Sequence, residues 1–126
     1  MSKTIRTERG WPGHFICADR CRFRRNTLLS ADGKPMVVVS TVGNLIIREK
    51  LEEVGSGRHY ETAAFWTDGK APYFDIDVGR EIFIDSAHCL AITKQNEESV
   101  ENLANDMHES VVAELMAKLE KGELIA

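Results

Sequence analysis

Apolar residues near the C-terminal end of the chain recur every three or four positions, which is the spacing of one face of an α-helix. The stripe comprises Val100, Leu103, Ala104, Met107, Val111, Leu115 and Leu119. Asn96 precedes the stripe as a predicted N-cap, and Gly122 follows it where a C′ residue belongs. Because such a helix must bury its apolar face, the rest of the chain has to supply a matching apolar surface.

Two turn signals divide the preceding residues into strands. Asp32-Gly33 predicts a hairpin between strands at residues 21–30 and 35–42, and the β-branched run 36–42 predicts a buried central strand. Asp68-Gly69 predicts a second hairpin between strands at residues 60–66 and 73–78. In the last of these, strict alternation predicts that Phe74, Ile76 and Val78 point inward.

Glycines and charges suggest where these strands are interrupted. Gly43-Asn44 is expected to break the central ladder, residues 48–57 are expected to form a loop or short helical turn, and Gly79-Arg80 is expected to end a strand before a short one at 81–85. The sequence therefore predicts a single α+β domain over residues 1–126. It consists of a small antiparallel β-sheet with one amphipathic C-terminal helix packed on it, and whether the sheet closes into a barrel stays open.

Length and cysteine usage limit the class of protein. The 126 residues include 43% hydrophobic and 29% charged residues, which is typical of a folded globular chain. No apolar run approaches the roughly 18 residues of a membrane span, and the first ten residues lack the apolar core of a signal peptide. Three cysteines are too few for a secreted disulfide framework. We expect a cytoplasmic protein with no membrane partner.

Charge is unevenly distributed along the chain. Residues 1–50 carry a net charge of +6 and residues 51–126 a net charge of −10, which together give the −4 of the whole chain. This asymmetry predicts either two binding faces of opposite sign or two surfaces that attract each other within one fold.

The densest basic stretch is the first candidate for a binding site. It offers cations for phosphates and aromatic rings for bases, as single-stranded nucleic-acid sites do. The predicted partner-binding residues are Arg20, Arg22, Arg24, Arg25, Trp11 and Phe23. A sequence pI of about 5.6 argues against nucleic acid, because domains that bind it usually have a pI above about 9.

Cysteine and histidine residues suggest a metal site as the second candidate. His14, Cys17, Cys21 and Cys89 could provide the four ligands of a closed zinc site, although their spacing lacks the usual close pairs. The alternative is that the cysteines are small buried hydrophobic residues, and no other cofactor is predicted.

Acidic residues give two further hypotheses. Glu61, Asp75 and Asp77 on adjoining strands could hold magnesium in a nuclease-like enzyme with His59 as base, or could simply lie on the solvated face of the sheet. The acidic face of the predicted helix could attract a protein that normally binds nucleic acid. His108, at the edge of the helical stripe, is expected to be packed or at the solvent boundary rather than a ligand.

Several phrases of the sequence resemble a group of small uncharacterised proteins encoded by phages and prophages. These phrases are residues 9–16 (RGWPGHFI), 21–28 (CRFRRNTL), 39–43 (VSTVG), 58–62 (RHYET), 75–78 (DIDV) and 104–109 (ANDMHE). Small phage proteins of this kind often inhibit host defence, as anti-CRISPR proteins do. Together with the compact size, the uneven charge and the lack of a convincing catalytic constellation, this resemblance predicts a non-enzymatic protein that occupies a surface of a host protein complex. A homodimer through an unpaired strand edge is a further hypothesis.

Overall fold

A computed structural model describes residues 4–10, 21–31, 34–47, 50–52, 60–70, 74–84, 89–90 and 97–124. Its elements are β1 (Thr4–Arg9), β2 (Cys21–Ala31), β3 (Lys34–Ile47), β4 (Lys50–Glu52), β5 (Tyr60–Thr67), β6 (Ile76–Ile82), β7 (Cys89–Leu90) and α1 (Glu97–Glu120). The main sheet is antiparallel in the order β1-β2-β3-β5-β6, while β4 pairs with β3 and β7 with β5. The predicted α+β class is confirmed, and the described strands form an open sheet rather than a closed barrel.

The central hairpin is confirmed, and its second strand is longer than predicted. β2 and β3 pair over most of their length, with Thr27 opposite Val39 and Phe23 opposite Gly43. The predicted break at Gly43-Asn44 was wrong, because Gly43 stays in the ladder between Phe23 and Tyr60. The predicted loop at 48–57 was wrong in part, since β4 pairs with the end of β3.

The β5–β6 hairpin differs most from the sequence prediction. β6 begins at Ile76 rather than at residue 73. It continues to Ile82 through Gly79-Arg80, where the sequence analysis expected the strand to end. Ile76 lies opposite Thr67 and Glu81 opposite Phe65, so residues 77–80 of β6 form a bulge against a single residue of β5. The bulge interrupts the expected alternation. The predicted inward position of Val78 was therefore wrong, since this side chain is 68% exposed.

Helix α1 packs across one face of the sheet, as predicted. Its buried face holds Ala104, Met107, Val111, Val112, Leu115 and Leu119 together with His108. Leu103 was wrongly assigned to this face and is 53% exposed. Among the described residues, no helix combines the length and apolarity needed to cross a membrane.

Gly122 ends the helix as predicted. It has a φ of 71°, its N–H donates to the carbonyl of Leu119 (3.2 Å), and the N–H of Glu123 donates to that of Lys118 (2.8 Å). These two bonds are those of a Schellman motif, which favours glycine because of the positive φ. Asn96, the predicted N-cap, lies outside the described residues.

Within the described residues, two apolar clusters join the helix to the sheet. The larger contains Leu29, Val37, Val39, Ala64, Ile82, Ile84, Val111, Val112, Leu115 and Leu119. The smaller contains Phe23, Tyr60, Ala104 and Met107, with the rings of Phe23 and Tyr60 edge to face at a centroid distance of 5.7 Å. The space between the clusters holds the polar side chains described next.

Candidate functional site

A buried polar band crosses the interface between helix and sheet. His108 projects from α1 and is fully buried. Its Nε2 lies 2.7 Å from Oγ1 of Thr27 on β2, and its Nδ1 lies 2.7 Å from Oγ1 of Thr41 on β3. Thr62 on β5 is directly opposite Thr41, with 2.6 Å between the hydroxyl oxygens. Side chains from β2, β3, β5 and α1 therefore form one chain of hydrogen bonds, in which the imidazole contacts Thr27 and Thr41 directly.

The direction of each hydrogen bond in this band follows from Glu8. The Thr27 hydroxyl donates to the Glu8 carboxylate. Burial raises the pKa of Glu8, but the hydrogen bonds from Thr27 and Arg25 outweigh it and hold the pKa below its usual value. A hydroxyl has one hydrogen, so Thr27 must accept from Nε2–H of His108. Nδ1 is then the acceptor for Thr41, which leaves Thr62 as the donor to Thr41.

His108 is neutral in this setting. Burial lowers its pKa from 6.5 to about 4, and the nearby charge of Arg25 acts in the same direction, while Glu8 and Glu109 oppose it. The neutral ring satisfies one donor and one acceptor with the two threonines. These hydrogen bonds link the helix to the sheet and fix His108 as the tautomer that carries its hydrogen on Nε2.

A ring of ion pairs continues the band to the surface. Arg6 contacts both carboxylate oxygens of Glu109, at 2.7 and 2.8 Å, and also Glu8 at 3.2 Å. Arg25 bridges Glu8 (2.7 Å) and Glu109 (2.9 Å) and donates to Asn105 (3.3 Å). The hydrogen bond from Arg6 is the main reason that the pKa of Glu109 falls to about 2. Opposite charges from the two halves of the sequence thus meet within the fold.

Replacing Glu109 by glutamine is expected to lower the free energy of unfolding by about 1 kcal/mol at pH 7. Arg6 and Arg25 each lose a charged partner. The Glu109 side chain is half-exposed, so solvent screening keeps the lost ion-pair energy small. Urea unfolding at low and high salt measures the effect, which should shrink as salt rises. Glu120→Gln, on the exposed side of the same helix, is the control and should change stability by less than about 0.5 kcal/mol. Equal losses in the two variants contradict the prediction.

The residues of the predicted basic site have different environments in the structure. Arg25 was predicted to bind a partner, but it is engaged with Glu8 and Glu109, which is the internal attraction between surfaces that the charge asymmetry also allowed. Phe23 was predicted as a stacking surface, but it is buried against Tyr60. Arg24 is exposed. Trp11, Arg20 and the side chain of Arg22 lie outside the described part of the chain.

The predicted zinc ligands are only partly described. His14, Cys17 and the side chains of Cys21 and Cys89 lie outside what the structure describes. The backbone places Cys21 on β2 and Cys89 on β7, with β3 and β5 between them, at about 14 Å for three strand spacings. The zinc site stays a prediction, because the side chains that would bind the metal lie outside the described residues. In the described ranges, no three His, Cys, Asp or Glu side chains group as a metal site would require.

The predicted carboxylate site is not assembled. Glu61 lies near the start of β5, opposite Val42, whereas Asp75 and Asp77 flank the residue that pairs with Thr67 at the other end of that strand. Six residues of strand span about 20 Å, so the three carboxylates do not share an ion. His59, the predicted base, lies outside the described ranges.

The sequence interpretation missed the polar band. It placed His108 at the edge of the helical stripe and did not connect it with Thr27, Thr41 and Thr62. The available signal was a histidine within an apolar helical face, combined with threonines on strands that were predicted to be buried. Comparisons with protein-family models, with curated proteins and with solved structures found no match.

Proposed function

We propose that this chain is a phage- or prophage-encoded, non-enzymatic binding protein that inhibits a host defence complex by covering one of its surfaces. The observation that supports this proposal is an exposed apolar and acidic surface along β6, here called the β6 surface. Its residues are Asp75, Asp77, Val78, Glu81 and Phe83.

Phe83 and Val78 are the apolar part of the β6 surface, with 79% and 68% of their area exposed. Ile82 and Ile84 on either side of Phe83 are buried, so the backbone turns the aromatic ring outward. Val78 lies in the bulge, away from the core. Leaving a phenylalanine in water forgoes about 2 kcal/mol of burial, and exposed aromatic residues are frequent anchors of protein interfaces.

Charge indicates the kind of partner. Asp75 and Glu81 are exposed and Asp77 is partly so, while the nearby cation, Arg80, lies 5.7 Å from the centre of the Trp66 ring. Exposed apolar and acidic residues along one strand complement a surface that combines an apolar pocket with lysine and arginine. Proteins that grip nucleic-acid backbones present such basic surfaces, and host nuclease complexes belong to this class.

The test measures phage plating on a host that carries a DNA-targeting CRISPR system. Expression of the wild-type chain should restore plating of a targeted phage, and Phe83→Ser should abolish this effect. With the purified nuclease complex, the same variant should bind about 30-fold more weakly, as expected for a lost hot spot of 2 kcal/mol.

The matched control is Leu103→Ser, which removes an exposed apolar side chain from the helix instead. It should behave like the wild type. The proposal fails if the wild-type chain protects phage from none of the CRISPR types tested. The placement of the contact on the β6 surface fails if Phe83→Ser retains full activity, or if Leu103→Ser loses as much. Salt-sensitive nucleic-acid binding that Arg24→Glu abolishes would favour the basic stretch instead.

A further inference from the structure

The two outer strands of the sheet differ in how well they could accept another strand. β6 is bulged at residues 77–80, and a bulge protects an edge by interrupting its row of backbone groups. β1 pairs with β2 in one unbroken register from Thr4 to Arg9. Ile5, Arg6, Thr7 and Glu8 are all exposed, and among the described strands only β2 lies beside β1. Among the described strands, β1 is therefore an edge with an unbroken register, six residues long.

We propose that two copies of this chain associate by antiparallel pairing of their β1 strands, with a twofold axis at Thr7. The two sheets then form one continuous sheet, and both helices lie on the same face of it. This inference concerns the opposite edge from the β6 surface and does not depend on the proposed function.

Hydrogen-bond geometry restricts the registers that β1 can adopt with itself. Along an edge strand, alternate residues direct their N–H and C=O groups outward, and the residues between direct them toward the neighbouring strand. Two residues that face each other in an antiparallel pair must both be of the same kind. A twofold axis must therefore pass through a residue rather than between two residues.

The extent of pairing and the charges together select among the registers that remain. An axis at Ile5 pairs only residues 4–6 of each β1 strand, whereas an axis at Thr7 pairs residues 5–9. An axis at Arg6 brings the two Arg6 side chains together, and an axis at Glu8 does the same for the two Glu8 side chains. An axis at Thr7 places Arg6 of each copy opposite Glu8 of the other and pairs Thr7 with itself. Directly opposed like charges destabilise a sheet, whereas directly opposed charges of opposite sign stabilise it.

The existing ion pairs fit this arrangement. Arg6 and Glu8 lie on the helix-facing side of β1, where they contact Glu109 and Arg25. Across a twofold axis at Thr7, the ion-pair rings of the two copies would join into one. The helix makes most of its sheet contacts with β2 and β3, so the two helices would stand far enough apart to avoid each other.

Analytical ultracentrifugation of the full chain at about 100 µM tests the proposal, since a dimer with a Kd of about 1 µM would be mostly associated at that concentration. The expected mass is twice 14.2 kDa, falling toward 14.2 kDa on dilution. Thr7→Lys and Thr7→Asp should each be monomeric, because each variant brings like charges together at the axis. An equimolar mixture of the two variants should associate again, since lysine then faces aspartate.

Two controls separate this result from a folding defect. Thr7 is exposed, so both variants should retain the circular dichroism and urea midpoint of the wild type. Ser110→Lys, on the exposed side of α1, should remain dimeric. A wild-type chain that is monomeric at this concentration overturns the proposal. So does a Thr7→Lys variant that still dimerises, or a mixture of the two Thr7 variants that stays monomeric.

Discussion

Lowering the pH from 7 to 5 is expected to reduce the free energy of unfolding by about 2 kcal/mol through His108 alone. The folded chain holds the pKa of His108 at about 4, whereas the unfolded chain returns it to 6.5. Between these values the unfolded state binds a proton that the folded state does not, so acid favours unfolding. The loss begins as the pH falls below 6.5 and reaches about 3 kcal/mol by pH 4.

The carboxylates act in a lower pH range. The folded pKa values of Glu8 and Glu109 lie below the usual 4.5, so their stabilisation is complete above 4.5 and is lost as the pH falls below it. The interval from pH 7 to 5 therefore isolates His108 from these two groups.

His108→Gln tests the assignment by urea unfolding at pH 7, 6 and 5. Glutamine also offers one donor and one acceptor to Thr27 and Thr41, but it does not titrate. We expect the variant to be less stable than the wild type at pH 7, because the amide fits the band less well. Its stability should change about 2 kcal/mol less than that of the wild type between pH 7 and 5. Parallel pH profiles would show that His108 is not the group responsible.

Replacing Gly43 by alanine is expected to lower the free energy of unfolding by about 3 kcal/mol. A Cβ atom at this position would lie 2.0 Å from Cδ2 and 2.5 Å from Cε2 of Tyr60. Tyr60 is fully buried and packed against Phe23, so its ring cannot move aside without disturbing the smaller apolar cluster. Thermal or urea unfolding measures the loss.

A double-mutant cycle separates this clash from a general cost of alanine in the strand. In a Tyr60→Ala background the ring is absent, and Gly43→Ala should then be neutral or slightly stabilising. Gly10→Ala, just beyond the end of β1, is a control for the added methyl group alone, because nothing lies within 4 Å of it. A cost for Gly43→Ala that is the same with and without the Tyr60 ring contradicts the explanation.

Local pattern was enough to place the helix and the central hairpin. The three- and four-residue spacing of the C-terminal stripe, the glycine at its end and Asp32-Gly33 each depend on residues that are neighbours in the chain. Such signals survive in any fold that buries one helical face against a sheet. Alternation along the chain gave the wrong orientation at β6, because a local pattern does not reveal a bulge. There the bulge shifts the register against β5, and Val78 is exposed.

The sequence by itself thus determined the α+β class, the helix and the hairpin of β2 and β3, because periodicity and turn chemistry act over a few residues. Only the tertiary structure decided the polar band and the fate of the basic stretch. Thr27 and Thr41 contact His108, and Thr62 contacts Thr41, because three strands pair in one register beneath the helix. Arg25 forms ion pairs with Glu8 and Glu109 because the pairing of β1 with β2 and the packing of α1 bring these residues together. Contacts between distant segments depend on strand pairing, which no local spacing specifies.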